Sequence, residues 1–376
     1  MKVLVTGGAG FIGSHIVDLL LKKGYKVRIL DSLEPPVHVR SKKPSYIPDD
    51  VEFIVGDVRD ISDLQKAVKG VDIIFHLAAY QGYLTDFSKF AFTNDGSTAL
   101  IYEIITRKRL PIKKIILASS QAVYGEGKYE CPTHSVQYPC LRSLEQLLKG
   151  EWELKCPICG QAMEPISSDE AMVHPHNQYA ISKYCQELYA LNLGRRFGIP
   201  TTVLRYSIIQ GPRQSFYNAY SGILRIFTTR HLNGLPLVIY EDGKQLRDYV
   251  YVGDAAKANL LVMENESTDF EIFNVGGEKA ITVLEYAKVF QEVVRQSVTP
   301  ETLGKFRFGD TRHVFSDTAK LKKLGWQSRT PLKQIITEYI DWVRKQAEVP
   351  DYYAEAEKVM KDEGVIRISE VNSLRR

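Results

Sequence analysis

The stretch "VTGGAGFIG" (5–13) constrains this chain more than any other. It follows "KVLVT" (2–6), a short apolar run rich in β-branched residues, and opens "FIGSHIVDLLLKKG" (11–24), where apolar residues recur at helical spacing until Gly24. Gly7, Gly10 and Gly13 therefore lie between a strand and a helix. Glycine is needed there because the backbone must turn tightly and come close to a pyrophosphate, which then faces the unpaired N–H groups at the helix N-terminus. Phe11 and Ile12 belong to the same contact surface.

The chain continues as alternating strands and helices. "YKVRILD", "VEFIVGD", "VDIIFHLAA", "IKKIILASS" and "PTTVLRY" read as further strands, with helical patterns such as "ISDLQKAVKG" and "GSTALIYEIITRKR" between them. Apolar strands in this alternation predict an α/β fold, a Rossmann-type doubly wound parallel sheet covered on both faces. Asp31 ends the second strand, where a carboxylate accepts from the ribose hydroxyls of adenosine and repels a 2′-phosphate, so NAD is expected rather than NADP. Ser32 adjoins it. Asp57 and Val58 close the third strand beside the adenine, and Leu77, Ala78 and Ala79 close the fourth with small side chains along the cofactor's path.

The alternation breaks at 126–172, a stretch of Pro, Cys, His and charged residues with no strand suited to the sheet. It reads as an insertion in a NAD-binding domain of residues 1–206. A smaller mixed lobe, expected to bind substrate, occupies 207–345 and includes a helix opened by the capping box of Thr282 and Glu285. The segment 346–376 reads as a charged tail with no apparent catalytic role.

"QYAISK" places Tyr179 and Lys183 four apart on one helical face. An ammonium near a phenol is expected to favour the phenolate, fitting the tyrosine to take a proton from a hydroxyl as hydride leaves the same carbon. "ASSQAVYG" adds Ser120 as a hydrogen-bond partner for the reacting oxygen, with Ser119 as the competing serine.

With "TGGAGFIG", Asp31, "GDVRD", "HLAA", "SSQAVYG", "YAISK", "LRY", "GPRQ", "RDYVYVGD" and "NVGG" in this order, the chain resembles the extended short-chain dehydrogenases/reductases, in their nucleotide-sugar epimerase and dehydratase branch. The resemblance covers roughly 1–125 and 172–345. It implies that Tyr179 is the base, that Lys183 tunes it and touches the ribose, and that Ser120 assists. It also implies Asn94 and Tyr206 near the cofactor, Arg213, Arg247, Arg307 and Asp310 at the nucleoside diphosphate of the substrate, and a homodimer.

In that family the dehydratases carry an Asp-Glu pair, and the decarboxylases a glutamate, where this chain has Gln121 and Ala122. Without an ionisable group there, the expectation is C4 epimerisation through a transient 4-keto sugar, with NAD regenerated each turn. A dehydratase, a net dehydrogenase or reductase, and a non-catalytic NAD-binding protein are the alternatives. Ser207 and Ile208 replace the family's usual Phe and Asn, which fits epimerases of nucleotide-linked 6-deoxy sugars.

Four of the five cysteines fall between 131 and 159. Cys131-x-x-His134 and Cys156-x-x-Cys159, separated by about twenty residues, have the spacing of a closed Cys₃His zinc site, with Cys140 a rival to His134. Four protein ligands leave no open position, so zinc is expected to be structural. The net charge of +4 and the lack of basic runs interleaved with aromatics give no reason to expect nucleic acid. No apolar run reaches the roughly 18 residues that span a bilayer, and no signal-peptide layout opens the chain. A cytoplasmic location with reduced thiols is expected.

Overall fold

Seven parallel strands form the central sheet: β1 (Lys2–Thr6), β2 (Lys26–Asp31), β3 (Glu52–Val55), β4 (Ile73–His76), β5 (Lys114–Ser120), β6 (Thr201–Tyr206) and β7 (Ile272–Val275). Their order is β7-β6-β5-β4-β1-β2-β3. This computed structural model describes residues 1–38, 41–82, 84–296, 301–302, 304–346 and 348–370. The order reverses between β1 and β4, which opens a crevice at their carboxyl ends, the place where such sheets take ligands. Among the described residues no helix is long and apolar enough to cross a membrane.

Helix α1 (Phe11–Lys22) buries Ile16, Val17 and Leu20 in a cluster with Ala255, Ala256 and Val262 of the helix Val252–Met263. On the other face, Ile101, Tyr102 and Ile105 pack with Leu64, Val68 and Leu117. Both faces of the parallel strands are thus covered by apolar side chains. Because β7 and the helix Val252–Met263 lie beyond residue 206, the expectation of a domain closed at that residue is corrected: the chain leaves for the second lobe and returns to finish the sheet.

The second lobe holds a mixed three-stranded sheet, Ile208–Gln210, Leu246–Tyr251 and Ala280–Thr282. The capping box of Thr282 and Glu285 opens the helix Val283–Val294. The tail is built into this lobe. Its helix Tyr352–Asp362 buries Tyr353, Ala356 and Met360 against Ala219, Ile226 and Val238, and Ile366–Ile368 pairs antiparallel with Lys305–Arg307. Of the expected tail 346–376, residues 347 and 371–376 lie outside the described residues.

The insertion folds as its own antiparallel sheet, ordered Ser135–Gln137, Lys128–Cys131, Glu164–Ile166. Tyr129, Cys131, Leu154, Cys156 and Met163 make a small buried cluster, so this segment has a core despite its polar composition.

Candidate active site

The loop from β1 into α1 is shaped by close backbone approach. Gly7 has φ +69°, and a Cβ on it would lie 2.8 Å from the Ala78 nitrogen. A Cβ on Gly13 would lie 2.3 Å from the Gly7 carbonyl oxygen. Gly10 caps α1 with no side-chain hydrogen bond, so the first helical N–H groups are left for an anion.

These glycines edge a cleft of about 320 Å³ at the crevice between β1 and β4. Phe11, Ile12, Asp31, Ser32, Asp57, Val58, Leu77, Ala78, Ala79, Tyr179, Lys183 and Tyr206 line it as well. Asp31 accepts from the backbone N–H groups of Ala9 and Leu33, both at 3.0 Å. Asn94 stands one layer back. Fully buried, it bonds both backbone groups of Tyr80 and donates to the Ser182 hydroxyl at 2.8 Å, so its contact with the cleft runs through Tyr80.

A second cleft of about 400 Å³ continues from the first toward the smaller lobe. Tyr179, Ser119, Tyr206 and Gln214 line both. Ser120, Gln121, Gln178, Ser207, Ile208, Arg247, Arg307 and Asp310 line the second alone. Four buried polar atoms on its walls have no protein partner among the described residues: Gln121 Oε1, Gln214 Oε1, Gln245 Oε1 and the Tyr249 hydroxyl. Uncharged acceptors and hydroxyls of this kind suit a ligand rich in hydroxyl groups.

At the junction, Asn177 caps the helix Gln178–Phe197 through a 2.9 Å bond to the Ala180 N–H, which sets Tyr179 in the first turn. Burial pushes the Tyr179 phenol up to about 12, with a hydrogen bond to Ser120 opposing. Burial likewise brings the Lys183 ammonium down to about 7, with Glu187 opposing. The expectation that Lys183 lowers the tyrosine is therefore not met in the free chain. Lys183 is buried and Tyr179 half-buried at the cleft wall, and the charge acting on Lys183 is that of Glu187. Under the lysine, His76 hydrogen-bonds Thr6 and Ser97, and burial with the adjacent Lys183 charge pushes it down to about 3, so it is a neutral prop.

Arg213, expected at the substrate, lines neither cleft. It pairs with Asp18 at 2.8 Å and stacks over Tyr46, because its left-handed backbone (φ 69°) turns it away and presents Gln214 inward instead. Arg247 and Asp310 face the second cleft, and Arg307 stacks on Tyr240 there at 4.5 Å. Sequence reasoning missed Gln178 and Gln214, each one residue from a chosen position. It also missed Tyr353 of the tail, which lines the cleft and bonds the Tyr240 hydroxyl at 2.8 Å.

In the insertion, Cys131, His134, Cys156 and Cys159 bring their ligand atoms within 4.8 Å of one another. Cys131 Sγ lies 3.7 Å from Cys159 Sγ and 3.8 Å from His134 Nδ1, and Cys156 Sγ lies 3.7 Å from that nitrogen. Cys140 is exposed and outside the group. Burial opposes ionisation of Cys156, yet the N–H groups of Cys159 and Ile158 and the neighbouring thiols bring it down to about 6.

The profile of the NAD dependent epimerase/dehydratase family matches residues 3–142 and 156–276. The chain belongs to this family. It is 32% identical over 358 residues to dTDP-L-rhamnose 4-epimerase of Burkholderia thailandensis, spanning 92% of this chain and 95% of that protein. Among solved structures, UDP-glucose 4-epimerase of Thermotoga maritima with UDP-glucose superposes at a TM-score of 0.74 and 30% identity, covering 93% of this chain and all 100% of that one. The UDP-glucose 4-epimerase of Thermus thermophilus, in complex with NAD, gives 0.70 and 27%, covering 92% and 100%.

Proposed function

We infer that this protein is an NAD-dependent nucleotide-sugar 4-epimerase. The observation that carries the reading is the position of Tyr179, on the wall shared by a dinucleotide cleft and a second cleft lined with unpaired neutral polar groups. NAD fits the first cleft because Gly7 and Gly13, where a Cβ would strike the backbone of Ala78 and Gly7, let the turn close tightly, leaving the uncapped N-terminus of α1 to meet the phosphates. When bound there it would supply the acceptor of the sugar's hydride.

The chain's own residues do the rest. Tyr179 takes the proton of the sugar C4 hydroxyl and later returns it, and Ser120 holds that oxygen by a second hydrogen bond. Lys183 orients the ribose and the phenol. Arg247 and Arg307 grip the diphosphate while the 4-keto sugar turns over and presents its other face. Gln121 and Ala122 add no acid or base at the positions where the dehydratases of the resemblance carry one, which favours epimerisation over dehydration. Ile208, beside Ser207, suits the methyl group of a 6-deoxy sugar.

The four-ligand group of the insertion fits structural zinc. Tetrahedral bonds of about 2.3 Å to sulfur and about 2.0 Å to nitrogen separate two sulfurs by roughly 3.8 Å and sulfur from nitrogen by roughly 3.5 Å. The Cys131–Cys159 sulfur separation of 3.7 Å matches the first, and the sulfur–nitrogen distances of 3.8 and 3.7 Å lie a little above the second. Three thiolate ligands also fit a reducing compartment, the cytoplasm. A homodimer is supported by Ile181, Leu188 and Tyr189, exposed along the outer face of the helix Gln178–Phe197, with Phe87 and Phe92 exposed on the segment packed beside it.

The decisive experiment presents UDP-, dTDP- and GDP-linked sugars to the enzyme and follows the C4 epimer by NMR. Interconversion without accumulation of reduced nicotinamide is expected. Stoichiometric reduced nicotinamide would make it a net dehydrogenase.

A further inference from the structure

The insertion lines neither cleft: among the described residues, none of 126–172 is on a wall. It stands behind the wall, against the segment 310–317. Ser168 joins this segment by two backbone bonds, donating to the Phe315 carbonyl and accepting from the Asp317 N–H, both at 2.9 Å. Arg142 donates to the Asp310 carbonyl at 3.0 Å, and Glu126 accepts from the Arg312 N–H at 2.7 Å. Glu153 bonds the Arg312 guanidinium at 2.5 Å and His313 Nε2 at 3.0 Å. Arg142 and Arg312 both pair with Glu241, at 2.9 and 2.8 Å, inside a network whose side chains are at most 3% exposed at Arg142, Glu126, Glu241 and Arg312.

What this network holds is the mount of a substrate-facing cation. Arg247 donates to the carbonyl oxygens of Arg312 at 2.9 Å and Thr311 at 2.5 Å. Those carbonyls are neutral, and the one carboxylate paired with the guanidinium is that of Asp310, at 3.8 Å on the same cleft wall, where an entering anion would compete with it. Asp310 and Thr311 line the same cleft. Low-dielectric burial and opposed charges leave the segment little freedom to relax if one member is removed.

We propose that the insertion is a positioning element for nucleoside diphosphate binding, in which Glu153, Arg142 and Glu126 hold the 310–313 segment so that Arg247 is aimed at the diphosphate. Zinc, on this account, stabilises the platform from which the three residues reach. The inference rests on the nucleotide-sugar reading of the second cleft.

The test uses Glu153→Gln, since that side chain is 56% exposed and its loss leaves the buried members in place. UDP and dTDP alone serve as probes, titrated calorimetrically into the full-length holoenzyme. Affinity for the better probe is expected to fall about 5- to 30-fold, the range typical of coupling between sites. KM for the sugar nucleotide should rise by the same factor, with kcat, bound NAD and bound zinc unchanged. A merely structural role would lower the melting temperature and leave both constants alone. Wild-type affinity and KM in Glu153→Gln overturn the proposal. If the wild-type protein binds none of UDP, dTDP and GDP, the nucleotide-sugar reading itself fails, a result the variant does not produce.

Discussion

The Ser119 hydroxyl lies 2.5 Å from a carboxylate oxygen of Glu187, and that carboxylate in turn pairs with Arg205 at 2.7 Å. One serine of the doublet is thereby tied to a buried ion pair beneath the sheet. Its neighbour, Ser120, caps the following turn through the Ala122 N–H at 3.1 Å and hydrogen-bonds Tyr179 in the cleft. Both serines meet the helix Gln178–Phe197, Ser119 at Glu187 and Ser120 two turns earlier at Tyr179, so two identical residues carry different tasks.

The division predicts opposite phenotypes. Ser120→Ala should lower kcat with little change in melting temperature. Ser119→Ala should leave kcat near wild type and reduce stability by about 1–3 kcal/mol, the usual effect of leaving a buried acceptor short of a donor. Steady-state kinetics and thermal melts of the two variants decide it.

Tyr179→Phe should reduce turnover by about 100- to 10,000-fold, the range for losing a positioned proton-transfer group, while NAD stays bound. Turnover at the wild-type rate would remove the phenol from the chemistry.

Gly13→Ala should lose NAD, because the added methyl meets the Gly7 carbonyl at 2.3 Å and forces apart the turn that admits the phosphates. The purified variant should fold and show a nicotinamide content well below that of wild type.

Lys183 sets a pH dependence of stability. Its ammonium titrates near 10.4 in an unfolded chain and is brought down to about 7 by burial here. Between these values the unfolded state holds the extra proton, so stability rises with pH across that window. Below about 7 both states are protonated and the full desolvation penalty applies. In NAD-stripped protein, Lys183→Met should therefore melt higher than wild type at pH 6, with the difference shrinking toward pH 10. A constant difference would show that the lysine is not desolvated.

Zinc analysis should give one equivalent per chain in wild type and in Cys140→Ser, and none in Cys156→Ser, which should also melt lower. Equal metal content in the two cysteine variants would remove the Cys₃His assignment.

Local pattern made much of this legible. Spacing of four on a helix puts Tyr179 and Lys183 on one face whatever the rest of the chain does, and glycines between a strand and a helix admit few other conformations. The paired two-residue spacers marked the four side chains that the fold gathers, although only the fold separated His134 from Cys140. Arg213 shows the opposite case. Its residue type fitted the diphosphate, yet a left-handed φ sent it to Asp18 and put Gln214 in the cleft. The protonation of Tyr179 was equally out of reach, since it depends on how much water the assembled walls exclude.

What the sequence determined by itself is whatever depends on neighbours a few residues away: the glycine turn, the helical pair, the carboxylate ending β2, the paired Cys and His spacers. Tertiary structure alone decided which of two serines meets the phenol, that a tail tyrosine lines the second cleft, and that the insertion holds the segment carrying the carbonyl partners of Arg247. Those depend on contacts between residues far apart in the chain, from 68 positions for Ser119 with Glu187 to 159 for Glu153 with Arg312, and no periodicity in a chain encodes which distant groups meet once water is excluded.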